Sequence, residues 1–212
     1  PVVTSALTHG LSIAGYLFID NGDELIHPDL FWGNYRLVFI HGYGAAVNTF
    51  RFFENGQFDA ASFKEAIYKT KTKKKIILLN FPNNPAGYTP TIEAVKEIKQ
   101  ILLEAAEAGN PMVVILDDAY FGLVFEEGIY KESLFVDLCD MHENLLAIKI
   151  DGVTKEDYAW GLRVGFITFG IKNGTQELYT ALEAKTAGAV RGNISNTCHL
   201  SQTLAVSYTH LT

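Results

Sequence analysis

Residues 151–165 read Asp-Gly-Val-Thr-Lys-Glu-Asp-Tyr-Ala-Trp-Gly-Leu-Arg-Val-Gly, between two apolar runs, 145–150 and 164–168, that read as strands. A lysine just past a buried strand is unusual, because burial penalises an ammonium and lowers its pKa. That penalty is useful where an amine must be neutral to attack a carbonyl and form a Schiff base. Eight residues after Lys155 comes Arg163, a permanent cation able to fork onto a phosphate. Glycines at 161 and 165 let backbone approach a ligand closely. Taken alone, a Lys and an Arg on one loop are more often a solvated surface, so the rest of the chain must decide.

Working outward, the periodicity predicts strands alternating with helices. Thr4 or Ser5 can cap a helix with Leu7, Leu11, Ala14, Leu17 and Phe18 on one face. Asn21-Gly22 is a turn, 24–27 a short extended run, and 37–41 reads as a buried strand. Asp59 opens a helix to about Lys69, and 76–80 is a strand of continuous apolar character, as in a sheet covered on both faces. Thr89 and Pro90 are expected to start the next helix, which ends at Gly109. A strand over 113–116, a weak helix over 135–141, a helix over about 175–187 and a last helix from about Ser195 complete the series. This order predicts a three-layer α/β/α sandwich with a mostly parallel, mixed sheet. Ligands in such sheets collect outside the carboxyl ends of the strands. Residues 80–84, 117–120 and 151–155 all fall there.

Composition narrows the classes of function. The chain has 212 residues, 48% hydrophobic and 19% charged, which suits one well-cored domain or a large part of a bigger protein. A formal net charge of −7 argues against nucleic-acid binding through bulk electrostatics. The basic cluster from Lys69 to Lys75 reads as a solvated loop. The two cysteines, Cys139 and Cys198, are no disulfide framework and fit a reducing, cytoplasmic setting. Each has a histidine nearby, His142 and His199, but the spacing supplies no metal site. No apolar run is long enough to span a bilayer, and no secretory leader is read at the start. Both ends, Pro1-Val2-Val3 and 207–212, read as cut from a longer protein.

Three other stretches carry chemistry. Asp117-Asp118-Ala119-Tyr120 places a carboxylate and a phenol at a strand end. The carboxylate can keep a pyridine nitrogen protonated or simply cap a turn, and the phenol can donate to a ring oxygen. Asn83-Asn84-Pro85-Ala86-Gly87 reads alone as a turn. Trp32 reads alone as packing.

Together these features resemble the class I/II aminotransferases, pyridoxal-phosphate enzymes of fold type I. The family's Asn-Pro-Thr-Gly motif is similar to Asn84-Pro85-Ala86-Gly87, and its Asp-x-Ala-Tyr motif to Asp117-Asp118-Ala119-Tyr120. Its Schiff-base lysine, followed at eight residues by Arg-x-Gly, matches Lys155, Arg163 and Gly165. Its ring-stacking aromatic matches Trp32, and its Arg-x-x-x-Ser-Asn element matches Arg191 to Asn196. There are three departures. Ala86 replaces a usual Thr. Gly152 stands where a phosphate-binding Ser often lies three residues before the lysine. The helix start reads Val3-Thr4-Ser5-Ala6 rather than a run of Gly and Thr.

The resemblance implies pyridoxal 5'-phosphate bound to Lys155 as an aldimine. Asp117 would meet the ring nitrogen, Asn84 and Tyr120 the ring oxygen, and Trp32 the ring face. Thr4, Ser5 and Arg163 would hold the phosphate. It implies a transaminase acting on amino acids and 2-oxo acids, homodimeric at full length. Arg191 would lie at the dimer interface, facing the substrate's side chain. A lyase or decarboxylase on the same scaffold, or the sensor domain of a transcription regulator, are the alternatives. The chain is expected to be the cofactor-binding large domain, truncated at both ends and inactive alone.

Overall fold

The computed structural model describes residues 1–209; the last three residues of the trailing segment 207–212 lie outside the described residues. The chain begins with strand β1 (Val2–Ser5), helix α1 (Ala6–Phe18) and strand β2 (Glu24–Pro28). A π-helical segment (Arg36–His41) then leads to strand β3 (Ala46–Phe50) and a small hairpin of β4 (Phe53–Glu54) and β5 (Gln57–Phe58). Helix α2 (Ala60–Lys69), strand β6 (Lys75–Leu79), helix α3 (Ile92–Glu107) and strand β7 (Met112–Asp117) follow. The chain continues through a short helix α4 (Leu134–Leu138), strands β8 (Leu145–Asp151) and β9 (Val164–Gly170), and helices α5 (Gln176–Ile194) and α6 (His199–Thr209).

Seven strands form one sheet in the order β1-β9-β8-β7-β6-β2-β3. The run from β8 to β3 is parallel, and β9 is antiparallel to both β8 and β1. Strand alternation divides the apolar residues between two cores. Ile77, Leu79, Val114 and Leu116 face α2, α3 and α4, packing with Phe63, Ile98 and Leu102. Ile76, Leu78, Val113 and Ile115 face the opposite side, with Leu7, Leu11, Phe39 and Val190 from α1, the π-helix and α5. Both faces are therefore covered, which explains why the central strands carry apolar residues on both of their sides, with charged residues only at or near their ends. The result is the three-layer α/β sandwich with a mostly parallel, mixed sheet.

The local differences from the sequence reading have identifiable causes. The run 37–41 is a π-helix and not a strand: Leu37 is 63% exposed while Phe39 is fully buried, so only one side of the segment meets the core. A short apolar run carries no period that separates the two structures. The strand that pairs there is β3, which sits at the sheet edge and is largely exposed. Helix α3 starts later than expected, because Thr91 and not Thr89 is the cap; its hydroxyl accepts from Ala94 N at 3.1 Å. Pro90 is held outside the helix, its carbonyl accepting from Tyr130 N. Helix α5 runs past 187 to Ile194, and Ser195, at φ +69°, breaks it, so the last helix begins at His199. Lys75 is not solvated: it is buried at the head of β6, and its ammonium donates to the carbonyls of Thr70 and Thr72 at 2.6 and 2.9 Å.

No helix among the described residues is long and apolar enough to cross a membrane. Nor do three or more His, Cys, Asp or Glu side chains among them gather where they could hold a metal ion.

Candidate active site

The ends of β6, β7 and β8 and the start of α1 enclose a cavity of about 320 Å³, within the range of small-molecule sites. Its lining includes Trp32, Asn84, Asp117, Tyr120, Lys155 and Arg163. Six of the residues singled out in the sequence therefore meet at one place, though they lie up to 131 positions apart (163 − 32).

Asp117 ends β7 and is 3% exposed. One carboxylate oxygen accepts from the Tyr35 hydroxyl at 2.5 Å, and the other from Ala119 N at 3.2 Å. Burial pushes its pKa up to about 6, while the Tyr35 and Ala119 hydrogen bonds and the charge of Lys155 pull it back. Burial also raises the Tyr35 phenol, with the Asp117 carboxylate adding to it. This keeps Tyr35 a donor and fixes the orientation of the carboxylate. Tyr35 was not foreseen as a site residue. Its signal is the spacing Trp32-x-x-Tyr35, one helical turn, which sets the two rings edge to face at 5.6 Å.

The loop after β6 is ordered by side chains. Asn80 donates to the Asp117 carbonyl at 2.7 Å, and its amide oxygen accepts from Asn84 N at 2.8 Å. Asn83 oxygen accepts from Ala86 N at 3.0 Å, and the Phe81–Pro82 and Asn84–Pro85 peptides are cis. This presents the Asn84 amide to the Tyr120 hydroxyl at 3.5 Å. The Lys155 ammonium stands 5.5 Å from the centre of the Tyr120 ring.

Next in sequence to the lining residues Thr154, Lys155, Arg163 and Leu7, three backbones are in close contact. A Cβ on Gly152 would lie 2.4 Å from the Val164 carbonyl oxygen and 2.7 Å from Gly165 Cα. A Cβ on Gly165 would lie 2.6 Å from the carbonyl carbon of Ala6. The two glycines thus let the lysine loop, the start of β9 and the start of α1 lie against one another. Arg163, just before β9, and the first turn of α1 reach the cavity from there. Gly165→Ala is expected to lower stability by about 1–3 kcal/mol, because backbone cannot move aside as a side-chain tip can. Gly161→Ala meets nothing within 4 Å and should stay within about 0.5 kcal/mol of the parent. Urea unfolding of the two variants measures the difference, and equal stability would refute the tight packing.

Not every predicted residue reaches the lining. Thr4 is fully buried behind the cavity, and its hydroxyl donates to the Ala6 carbonyl at 3.0 Å. Ser5 precedes α1, its N–H donating to His9 Nδ1 at 3.0 Å, and it too lies outside the lining. The hydroxyl-bearing residue of α1 that lines the cavity is Thr8, in the first turn. Arg191 is exposed on α5, away from the cavity. Thr154, unforeseen, also lines it.

The family profile for "Aminotransferase class I and II" matches residues 1–209. Among curated proteins, the chain is 28% identical over 166 residues to the "Probable aspartate aminotransferase" of Methanocaldococcus jannaschii, covering 78% of this chain and 40% of that protein. It is 31% identical over 127 residues to the "LL-diaminopimelate aminotransferase" of the same organism, covering 59% of this chain and 27% of that protein. Among solved structures, an aminotransferase from Anaerococcus prevotii superposes with a TM-score of 0.87 at 29% identity, covering 97% of this chain and 51% of that one. The chain thus spans about half the length of that structure and less of these curated relatives. On the strength of a match along its whole described length, the chain belongs to the class I and II aminotransferase family.

Proposed function

We propose that the protein is a transaminase that moves an amino group between an amino acid and a 2-oxo acid, with pyridoxal 5'-phosphate held at Lys155. Members of this family typically use that cofactor. The observation that carries the reading is the convergence of an amine, a buried carboxylate, an amide, a phenol and a guanidinium on one cavity. This donor set matches the chemistry of the group: a carboxylate for a ring nitrogen, an amide and a phenol for a ring oxygen, and cations for a phosphate.

When bound, pyridoxal phosphate supplies a protonated ring that withdraws electrons from the substrate's α-carbon. The protein's residues do the rest. Asp117, oriented by Tyr35, holds the ring-nitrogen proton by its negative charge. Asn84 and Tyr120 bind the ring oxygen. Trp32 covers one face of the ring and excludes water there. Arg163, the Thr8 hydroxyl and the free N–H groups opening α1 bind the phosphate, as helix N-termini bind anions. Lys155 Nζ would hold the cofactor, and as a free amine it would take the proton from the substrate's α-carbon and return it, as general base and acid. Thr4 and Ser5 support this end from behind, through the Ala6 carbonyl and the His9 ring. The chain is in this reading the cofactor-binding large domain. Its full-length form is a homodimer in which exposed Arg191 faces the partner's substrate. The free thiols of Cys139 and Cys198 suit a reducing, cytoplasmic setting.

An absorbance spectrum of the protein with pyridoxal phosphate, followed by a screen of amino donors in the full-length protein, tests the reading. A visible band that donor amino acids bleach, with release of the 2-oxo acid, is the expected result. Release of carbon dioxide or ammonia instead would assign lyase or decarboxylase chemistry. Binding without turnover of any donor would favour a sensor. Repeating the screen with Arg191→Ala should reduce turnover of acidic donors more than neutral ones, and equal losses would remove Arg191 from the substrate.

A further inference from the structure

The pairing of β6 with β7 ends at Leu79 and Leu116. One residue beyond, the chain bends at Phe81-Pro82 and leaves Asn80 4% exposed at the strand end. There the Asn80 side chain takes over from the ladder. Its amide nitrogen donates to the Asp117 carbonyl at 2.7 Å, and its amide oxygen accepts from Asn84 N at 2.8 Å. A carbonyl can only accept and a backbone N–H can only donate, so a single orientation of the amide makes both bonds.

Asn80 thus joins two residues that reach the cavity from different loops, 33 positions apart (117 − 84). In the functional reading, Asp117 meets the ring nitrogen and Asn84 the ring oxygen of one rigid ring. The spacing of the two must then match the ring's own. A short, buried side chain bonded at both ends can hold that spacing. Turning it away would leave buried backbone groups unpaired, at a cost of about 1–3 kcal/mol each. The next side chain that orders the loop, Asn83, bonds Ala86 N and the Leu30 carbonyl instead. Asn80 supplies the tie between this loop and the backbone of Asp117.

We infer that Asn80 is a positioning residue, which holds the Asn84 amide at a fixed distance from Asp117 so that the ring oxygen and ring nitrogen of the bound cofactor are met together. This role rests on the functional reading, in which the cavity takes pyridoxal phosphate. A donor at the ring oxygen favours its anionic form. It therefore lowers the pH at which the bound cofactor gives up the proton beside that oxygen. Asn80 governs that titration through Asn84.

Two measurements test the role: amide hydrogen exchange in the cofactor-free protein, and the pH midpoint of the visible absorbance band with pyridoxal phosphate bound. In Asn80→Ala the Asn84 N–H should exchange at least about 10-fold faster than in the parent. The midpoint of the visible band should rise by about one pH unit. In an Asn84→Ala background, Asn80→Ala should move the midpoint by less than about 0.2 units, because the residue it acts through is gone. If Asn80→Ala does not fold, Asn80→Leu, of similar size and without either polar group, takes its place with the same expected results. Unchanged exchange at Asn84, or a midpoint that stays in place while only stability falls, would overturn the positioning role and leave the functional reading standing. An equal shift in both backgrounds would also overturn it, since Asn80 would then act on the cofactor directly. A parent that shows no visible band with pyridoxal phosphate would overturn both.

Discussion

Replacing Lys155 by alanine is expected to abolish borohydride-fixed attachment of pyridoxal phosphate and to lower transamination by the full-length protein by at least about 1,000-fold. The size of the effect follows from two tasks resting on one nitrogen, holding the cofactor and moving the proton. Lys155→Arg should be equally inactive. It keeps a cation beside Asp117 and the Tyr120 ring but cannot lose its proton, so the pair of variants separates chemistry from charge. Peptide mapping after reduction should place the label on Lys155 in the parent. Lys149 is the nearest rival in sequence, yet it is paired with Asp151 at 2.6 Å and lies 4.9 Å from the Phe121 ring centre. A label on Lys149 or Lys172, or undiminished attachment in Lys155→Ala, would defeat the assignment.

The sheet was legible because its central strands have apolar runs that fill both faces and end in loops rich in Asn, Pro, Asp and Gly. Strands β6, β7 and β8 fall within a residue or two of the sequence reading for that reason. The segments that were misread lie where the physics gives no such signal. At 37–41 five consecutive residues are apolar or aromatic except for the final His41, and both strand and helix satisfy that pattern. Edge strand β3, with Val47 half exposed and Asn48 bonded to Glu24 and Thr70, has its apolar residues interrupted by Asn48 and Thr49 and so offers no continuous apolar run.

The site divides the same way. Asn84, Asp117, Tyr120 and Lys155 were legible because each follows a strand that was legible, and strand ends converge by topology. Tyr35 was not, because its link to the site is a hydrogen bond to Asp117 across 82 positions of sequence. Thr4 and Ser5 are the first hydroxyls before α1 and lie outside the cavity lining, since residue order does not say which way a side chain points. Strand β1 pairs Thr4 with Gly165, and its hydroxyl turns to the Ala6 carbonyl. Thr8 lines the cavity from the first turn of α1, whereas Thr4 belongs to the strand before it.

The adjacent carboxylates Asp117 and Asp118 should differ in what they bind and in how they make stability depend on pH. Asp117 lines the cavity, whereas Asp118 lies outside its lining and accepts the Ser133 hydroxyl at 2.5 Å. Burial pushes Asp118 up to about 7, against the Ser133 hydrogen bond and the charge of Lys149, with Asp151 and Asp117 adding to the rise. Its ordinary value is 3.8. Below that value both folded and unfolded chains hold the proton. As pH rises from there to about 7, the unfolded chain releases it and the folded chain does not, so stability falls, by at most about 4 kcal/mol for this group. Asparagine keeps an acceptor for Ser133 and carries no charge. Asp118→Asn should therefore gain on the parent by about 2–4 kcal/mol between pH 4 and pH 8 and keep its affinity for pyridoxal phosphate within about 3-fold. Asp117→Asn should also gain stability across its own window, from 3.8 to about 6, but lose cofactor affinity by about 100-fold, because the cofactor's ring charge would be left without its buried partner. Denaturant unfolding at several pH values and absorbance titration measure both. A stability difference between parent and Asp118→Asn that does not change with pH would refute the burial argument. Equal losses of cofactor affinity in the two variants would remove Asp117 from its place at the ring nitrogen.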